Sequence, residues 1–305
     1  MDYSLIHKTT YEYSEPVSVS HHTARLVPVN DGRQRASDFT LEISPRPEGL
    51  HTRTDYFGNV VSVFAIRELH RSLEVLASCR VSVPELTPPV PSLSPPWVQV
   101  AGRFCDPVSP RDTAPYEFCL DSPLVRPAHA LESWARRSFP GETPLLVGVE
   151  DLMGRLHREF DFDPVATDVA TPLEEVWEKR RGVCQDFAHV ALGCLRSLGL
   201  PARYVSGYLR TIPPPGQKRM QGADASHAWF SVFCPLNGWV DFDPTNNLMP
   251  AEGHISVAVG RDFSDVSPLI GILTGGGEHS VNVAVDVVPV GLTGHLHSHA
   301  EIRDW

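Results

Sequence analysis

The sequence predicts an α+β protein: an N-terminal β-sandwich, followed by helices packed on an antiparallel sheet. Short alternating segments rich in β-branched and aromatic residues fill the first 83 residues, as in small sandwiches. From about residue 98 apolar residues recur at helical spacing, and strand patterns return from about residue 202. The 305 residues correspond to about two domains.

The N-terminal β-domain is predicted over residues 1–83. The segments 4–13, 39–43 and 73–83 alternate between apolar and polar residues, as strands with one buried face do. Residues 53–64 are predicted to form two further strands around a tight turn, because the Gly58-Asn59 pair can supply the positive φ that such a turn needs.

A proline-rich linker is predicted over residues 84–97. Six of these 14 residues are proline, which excludes a central strand or a helix interior. The segment is expected to be an extended connector between two domains.

The core is predicted over residues 98–253, with its helices first and its strands after them. Apolar spacing predicts helices over 145–160 and over 184–198, the second ending at Gly199. Strands are predicted at about 202–210, 226–234 and 239–243. Residues 254–305 are expected to form a β-rich segment that packs on the core or on the N-terminal domain.

The composition of the chain limits the classes of partner and the cellular compartment that are expected for it. The net charge is 26 − 37 = −11, and without a basic cluster this disfavours nucleic acid or an anionic membrane surface as a partner. No run approaches 18 apolar residues, and the start lacks the pattern of a secretory signal. Six scattered cysteines without a C-x-x-C pair are then expected to be free thiols in the cytoplasm.

A cysteine, a histidine and two aspartates form the candidate chemical group. Cys184 stands where a helix is predicted to begin, a place that favours a thiolate. A thiolate nucleophile needs a base, and the base needs an orienting group. His227 lies at the start of a predicted strand, and Asp241 and Asp243 lie in the next one.

The register of the hairpin between these strands decides which residues meet. A turn centred on Pro235 places His227 directly opposite Asp243, within hydrogen-bonding reach. A turn centred on Asn237 places His227 opposite residue 247 instead. The sequence leaves both registers open.

Three sequence blocks resemble the transglutaminase-like superfamily in its order. Residues 182–200, beginning Gly-Val-Cys-Gln-Asp-Phe, resemble its cysteine block; Ser226-His227-Ala228-Trp229 resembles its histidine block; residues 238–247, with Asp-Phe-Asp-Pro-Thr, resemble its aspartate block. The N-terminal segments around His7-Lys8-Thr9 and Asp55-Tyr56-Phe57 resemble the β-domain that precedes this core in bacterial members. The resemblance implies a papain-like core.

The resemblance also implies roles for individual residues. Cys184 would be the nucleophile, His227 the base and then the acid, and Asp243 the group that orients the imidazole, with Asp241 a rival by proximity. The backbone N–H of Cys184 would be one oxyanion donor, and Gln185 is a candidate for the second.

The remaining polar residues have simpler explanations. Asp186 is expected to stabilise the helix N-terminus, and Trp229 to pack beside the site and limit access of water. Three alternating histidines, His295, His297 and His299, could bind a metal on one strand face, but a solvated tail is favoured. No cofactor or metal is predicted.

The predicted reaction is acyl transfer at an amide of a peptide or protein, through a thioester at Cys184. Hydrolysis is favoured, which would make the protein a cysteine protease or amidase. The alternatives are an amine-dependent cross-linking transglutaminase and a non-catalytic binding module that uses the same cleft.

Overall fold

Two antiparallel sheets form the frame of the protein, and a layer of helices covers the second. The computed structural model describes residues 1–85, 87–105, 109–211, 222 and 224–291. Within these ranges no helix is long and apolar enough to span a membrane. His295, His297 and His299 lie outside the described residues.

The strands belong to two large sheets and one short pair. They are β1 (Asp2–Ala24), β2 (Arg35–Ser44), β3 (Gly49–Thr54), β4 (Val60–Ile66), β5 (His70–Ser82), β6 (Asp161–Phe162), β7 (Arg181–Gly182), β8 (Ala202–Leu209), β9 (Ala225–Cys234), β10 (Gly238–Phe242), β11 (His254–Gly260), β12 (Leu269–Gly275) and β13 (His279–Pro289).

The helices fall mainly between the two sheets in sequence. They are α1 (Trp97–Cys105), α2 (Pro110–Tyr116), α3 (His129–Ala135), α4 (Leu145–Glu159), α5 (Leu173–Lys179), α6 (Cys184–Ser197) and α7 (Phe263–Val266). The proline-rich segment before α1 contains one short 3-10 turn, Pro91–Leu93.

The first sheet differs from the predicted sandwich, in which two separate sheets would face each other. The long strand β1 pairs with one set of strands in its first part and with another set in its last part, and so joins all of them. The first part of β1 pairs with β5 and β13, and the last part pairs with β4 and β12. The ladder to β5 is interrupted between Glu12 and Val17, where Pro16 lacks a backbone donor. The result is a single seven-stranded sheet, in which side chains of β4 and β5 share one apolar cluster.

The second sheet has the order β10-β9-β8-β11 and carries the candidate site. Helix α6 packs on β8 and β9 and is flanked by α3, α4 and α5. Buried side chains such as Leu192, Tyr204 and Phe230 join the helix to the sheet in the largest core cluster. As the sequence predicts, α6 begins at Cys184, and Gly199 follows it with a φ of 73°.

The β9–β10 hairpin has neither of the two predicted registers. Cys234 pairs with Gly238, so the turn is centred on Leu236. The N–H of Asn237 donates to the carbonyl of Cys234 at 3.0 Å, and Gly238 takes a positive φ of 72°, the conformation that glycine adopts most readily. His227 is therefore not directly opposite Asp243.

The segment after the core is divided between the two sheets. Strand β11 forms the edge of the second sheet beside β8, whereas β12 and β13 return to the first sheet and pair with β1. The end of the chain thus ties the two sheets together.

Candidate active site

Cys184 is the first residue of α6, and its surroundings stabilise this helix start. Asp186, in the first turn, accepts a hydrogen bond from the N–H of Val183 at 2.8 Å and one from the Thr167 hydroxyl at 2.6 Å. Burial raises the pKa of the Asp186 carboxyl. Asp186 therefore caps the helix, while Cys184 lies half-buried at its positive end.

His227 lies between the thiol and a carboxylate. Its Nε2 donates to Asp243 Oδ2 at 2.8 Å, and the Cys184 side chain is near enough to help raise the pKa of its imidazole. Because Nε2 is taken by the aspartate, Nδ1 is the nitrogen available to the sulfur. Burial alone would lower the pKa of His227, but the interactions with Asp243 and Cys184 prevail and raise it to about 9.

Asp243 is fully buried and accepts five hydrogen bonds. Its Oδ1 accepts from the backbone N–H groups of Thr245 and Asn246, at 3.0 and 3.1 Å. Its Oδ2 accepts from His227, from Asn246 Nδ2 at 2.7 Å and from His254 Nε2 at 3.0 Å. Burial would raise the pKa of this carboxyl, but the histidine donors outweigh burial and hold it well below its usual range. The group is therefore a carboxylate at neutral pH.

The observed register still brings the histidine and the aspartate together. Strand β10 ends at Phe242, which pairs with Phe230, so Asp243 follows at the level of Trp229, two residues from His227 along β9. Diagonal neighbours on adjacent strands remain within reach of polar side chains. The backbone of Asp243 then pairs with Leu248, which turns the chain back and places Asn246 beside the carboxylate.

Sequence reasoning missed His254, the first residue of β11. It lies 11 residues after Asp243 in the chain and is buried, with its ring edge-on to Trp229 at a centroid distance of 5.2 Å. The sequence offered only a weak indication: a histidine that opens the strand following the aspartate block.

The three polar groups at this point could also be considered as metal ligands. Among the described residues, His227, Asp243 and His254 are the group whose ligand atoms lie within 4.8 Å of one another. The shared atom, Asp243 Oδ2, already accepts three donors, and a cation there would have to displace them. The donor set therefore fits a hydrogen-bonded network better than a metal site.

Asp241, the rival orienting group, has different partners. It accepts from Trp229 Nε1 at 3.0 Å and from the Ser231 hydroxyl, and it pairs with Arg33 of the first sheet's β1–β2 loop at 2.6 Å. Burial would raise the pKa of Asp241, but the Arg33 guanidinium lowers it overall. Asp241 thus anchors the fully buried Trp229 rather than His227.

Gln185, the candidate second oxyanion donor, directly follows Cys184 on α6. Its side chain is largely buried, with 8% exposed. This places an amide close to the thiol in sequence and on the same helix turn.

Comparison with known proteins identifies the family. Residues 132–244 match the transglutaminase-like superfamily, and residues 3–82 match the bacterial transglutaminase-like N-terminal region. An uncharacterized protein of Mycobacterium tuberculosis is 40% identical over 294 residues, which cover 94% of this chain and 92% of that protein. The chain belongs to the transglutaminase-like superfamily.

Two further comparisons show which proteins share the fold, or part of the sequence, of this transglutaminase-like protein. A structure from Cytophaga hutchinsonii, solved as "a Putative Cysteine Protease", covers 98% of this chain and 94% of its own, with a TM-score of 0.72 and 21% identity, and so shares the fold. A protein-glutamine gamma-glutamyltransferase of Pseudomonas aeruginosa is 29% identical over 107 residues, 32% of this chain and 16% of that protein. This transglutaminase-like membership makes the chain a cysteine enzyme of amide acyl transfer.

Proposed function

We propose that this transglutaminase-like protein is a hydrolase, a peptidase or amidase that cleaves an amide of a peptide or protein. The observation that supports it most strongly is the arrangement of three side chains: His227 donates to the fully buried Asp243 carboxylate, and Cys184, at the start of α6, acts on the same imidazole. These three residues are proposed as the catalytic triad. An ionised, fully buried carboxylate stabilises an imidazolium, and an imidazolium stabilises a thiolate.

The proposed reaction has two steps. The Cys184 sulfur attacks the amide carbonyl carbon, His227 gives its proton to the leaving nitrogen, and the C–N bond breaks to leave a thioester and a free amine. Water then attacks the thioester while His227 accepts its proton, and the C–S bond breaks to release the carboxylic acid and to restore the Cys184 thiolate beside the imidazolium. Asp243 keeps the imidazole oriented throughout.

The start of α6 also offers hydrogen-bond donors for the negative charge that develops on the substrate oxygen. The first N–H groups of a helix have no partner within the helix, and Cys184 is the first residue of α6. Its backbone N–H is proposed as one oxyanion donor and the Gln185 amide as the second.

Transamidation is the second candidate reaction. It is favoured by the similarity to the Pseudomonas aeruginosa protein-glutamine gamma-glutamyltransferase. In that case a primary amine, rather than water, would resolve the same thioester and form a new amide bond.

The products distinguish these reactions. A mixture of glutamine-containing peptides is incubated with the protein, with and without a fluorescent primary amine, and is followed by mass spectrometry beside Cys184→Ala. Hydrolysis predicts cleaved or deamidated peptides, and transamidation predicts peptides carrying the amine. If neither product forms, and the wild type and Cys184→Ala both bind the peptides, the proposed enzymatic activity is contradicted and a binding module is favoured.

The proposed location is the cytoplasm. All six cysteines, which lie in the described part of the chain, are free, as is usual in a reducing compartment. The proposed partner is a peptide or protein substrate.

A further inference from the structure

We infer that His254 is a positioning residue of the proposed triad, which holds the Asp243 carboxylate toward His227 and shields it from a neighbouring cavity. This inference rests on the proposed function and deepens it. His254 would act through Asp243 and would not touch the substrate.

The hydrogen-bond geometry defines what His254 contributes. Asp243 is a carboxylate and can only accept, so His254 Nε2 carries the proton in their 3.0 Å contact. The same oxygen accepts from His227 at 2.8 Å. The two imidazoles therefore converge on one oxygen and fix its position from two sides.

A cavity of about 520 Å³ borders His254. Its walls come from the first sheet, the proline-rich segment and the core, and include Arg33, Pro84, Trp239 and His254. Asp243 is not part of these walls and is fully buried. His254 thus borders a space large enough for water that Asp243 does not line, and water at Asp243 would weaken its attraction for the imidazolium.

The first sheet holds His254 in place through β11. The Gln34 side-chain amide donates to the carbonyl of Ser256 and accepts from its N–H, both at 2.8 Å. The packing of the His254 ring against Trp229 fixes the other side. A residue held so tightly, in contact with the proposed triad, is suited to a positioning role.

The test is the rate at which iodoacetamide alkylates Cys184 at about pH 6, measured by mass spectrometry on the full-length protein. His254→Ala is expected to lower this rate about three- to tenfold, because a lost hydrogen bond to a charged group weakens the thiolate–imidazolium pair. His254→Gln, whose amide can donate in place of Nε2, should retain most of the rate. Added imidazole should enter the cavity and restore the alkylation rate of Cys184 in His254→Gly. It should leave the rate in the wild type unchanged.

Two further variants separate the possible failures. His22→Gln alters another buried histidine, one that stacks on Phe64 in the first sheet, and should leave the rate unchanged. An unchanged rate in His254→Ala, or an equal loss in His254→Gln without imidazole rescue, would overturn the positioning role while the proposed function stands. If the wild type and His227→Ala react alike, the proposed function fails and this inference with it.

Discussion

At the scale of single residues, two aspartates on one strand edge have separate tasks. Asp243 is bound by His227 and His254, whereas Asp241 is bound by Trp229 and Arg33. Both are buried, and both have a lowered carboxyl pKa. Their partners, rather than their exposure or charge, distinguish them.

Substitution of each aspartate by asparagine tests this division. Asp243→Asn removes the charge beside His227 and should lower the alkylation rate of Cys184 at about pH 6 by tenfold or more. Asp241→Asn breaks the buried pair with Arg33 and should lower the melting temperature while leaving that rate within about twofold. The reverse pattern would make Asp241 the orienting group.

At the scale of elements, the start of α6 depends on a close contact behind it. A Cβ on Gly182 would lie 2.4 Å from Asp186 Oδ2 and 2.8 Å from Asp186 Cβ. The carboxylate that caps the helix therefore requires a glycine at position 182. This contact links the local backbone to the position of Cys184.

Gly182→Ala is expected to displace Asp186 and to destabilise the protein by about 1–3 kcal/mol. Urea unfolding should reveal this loss, together with slower alkylation of Cys184. Gly102→Ala is the matched control, because a Cβ there meets nothing within 4 Å. Because position 102 lies within helix α1, Gly102→Ala should stabilise the protein by up to about 1 kcal/mol. Equal stability of the two variants would show that the cap does not depend on Gly182.

The elements around the site were largely predictable, but their register was not. Helix α6 and the strands β8 to β10 follow from apolar spacing and from Gly199. The hairpin centre differs from both predictions because the turn uses Pro235, Leu236 and Asn237, with Gly238 in a positive-φ conformation. Proline and glycine mark such a turn, but they do not fix its length.

At the scale of the whole molecule, side-chain amides of the first sheet complete the edge of the second. Gln34 bonds both backbone groups of Ser256, and Asn59 does the same for Val259 at 2.8 Å. Strand β11 would otherwise be an open edge. Sequence patterns could not predict these contacts, since they join residues 200 and 222 positions apart. His254 lies only 11 residues after Asp243, but no pattern marks a histidine that opens a strand as a partner of the carboxylate.

The histidines also predict how stability depends on pH. Burial lowers the pKa of His7, His22 and His189 to about 4, so the unfolded chain binds more protons than the folded one below about pH 6.5, and stability falls on acidification. His227, with a raised pKa of about 9, contributes stability that is complete below about pH 6.5 and is lost as pH rises through 9.

Chemical unfolding across this range should therefore show greatest stability near about pH 6.5, with an alkaline decline on the order of 1–3 kcal/mol. The thiols of Cys79, Cys119 and Cys194, whose pKa values are raised by burial, add their own decline only above about pH 8.5. Between about pH 6.5 and 8.5, His227→Gln should therefore remove the alkaline decline, and it should keep the acid one. His51→Gln, at an exposed position, should leave both limbs unchanged. An alkaline decline that persists in His227→Gln between about pH 6.5 and 8.5 would assign it to other groups.

The proposed chemistry depends on a thiolate–imidazolium pair between Cys184 and His227. The measurement that tests it most directly is the alkylation rate of each cysteine from about pH 5 to 9 in the wild type and in His227→Ala. In the wild type, Cys184 is expected to react before the other cysteines and to be already fast at about pH 6, and in His227→Ala this advantage is expected to disappear. Identical profiles, both rising toward the ordinary thiol pKa of about 8.5, would contradict the thiolate–imidazolium pair.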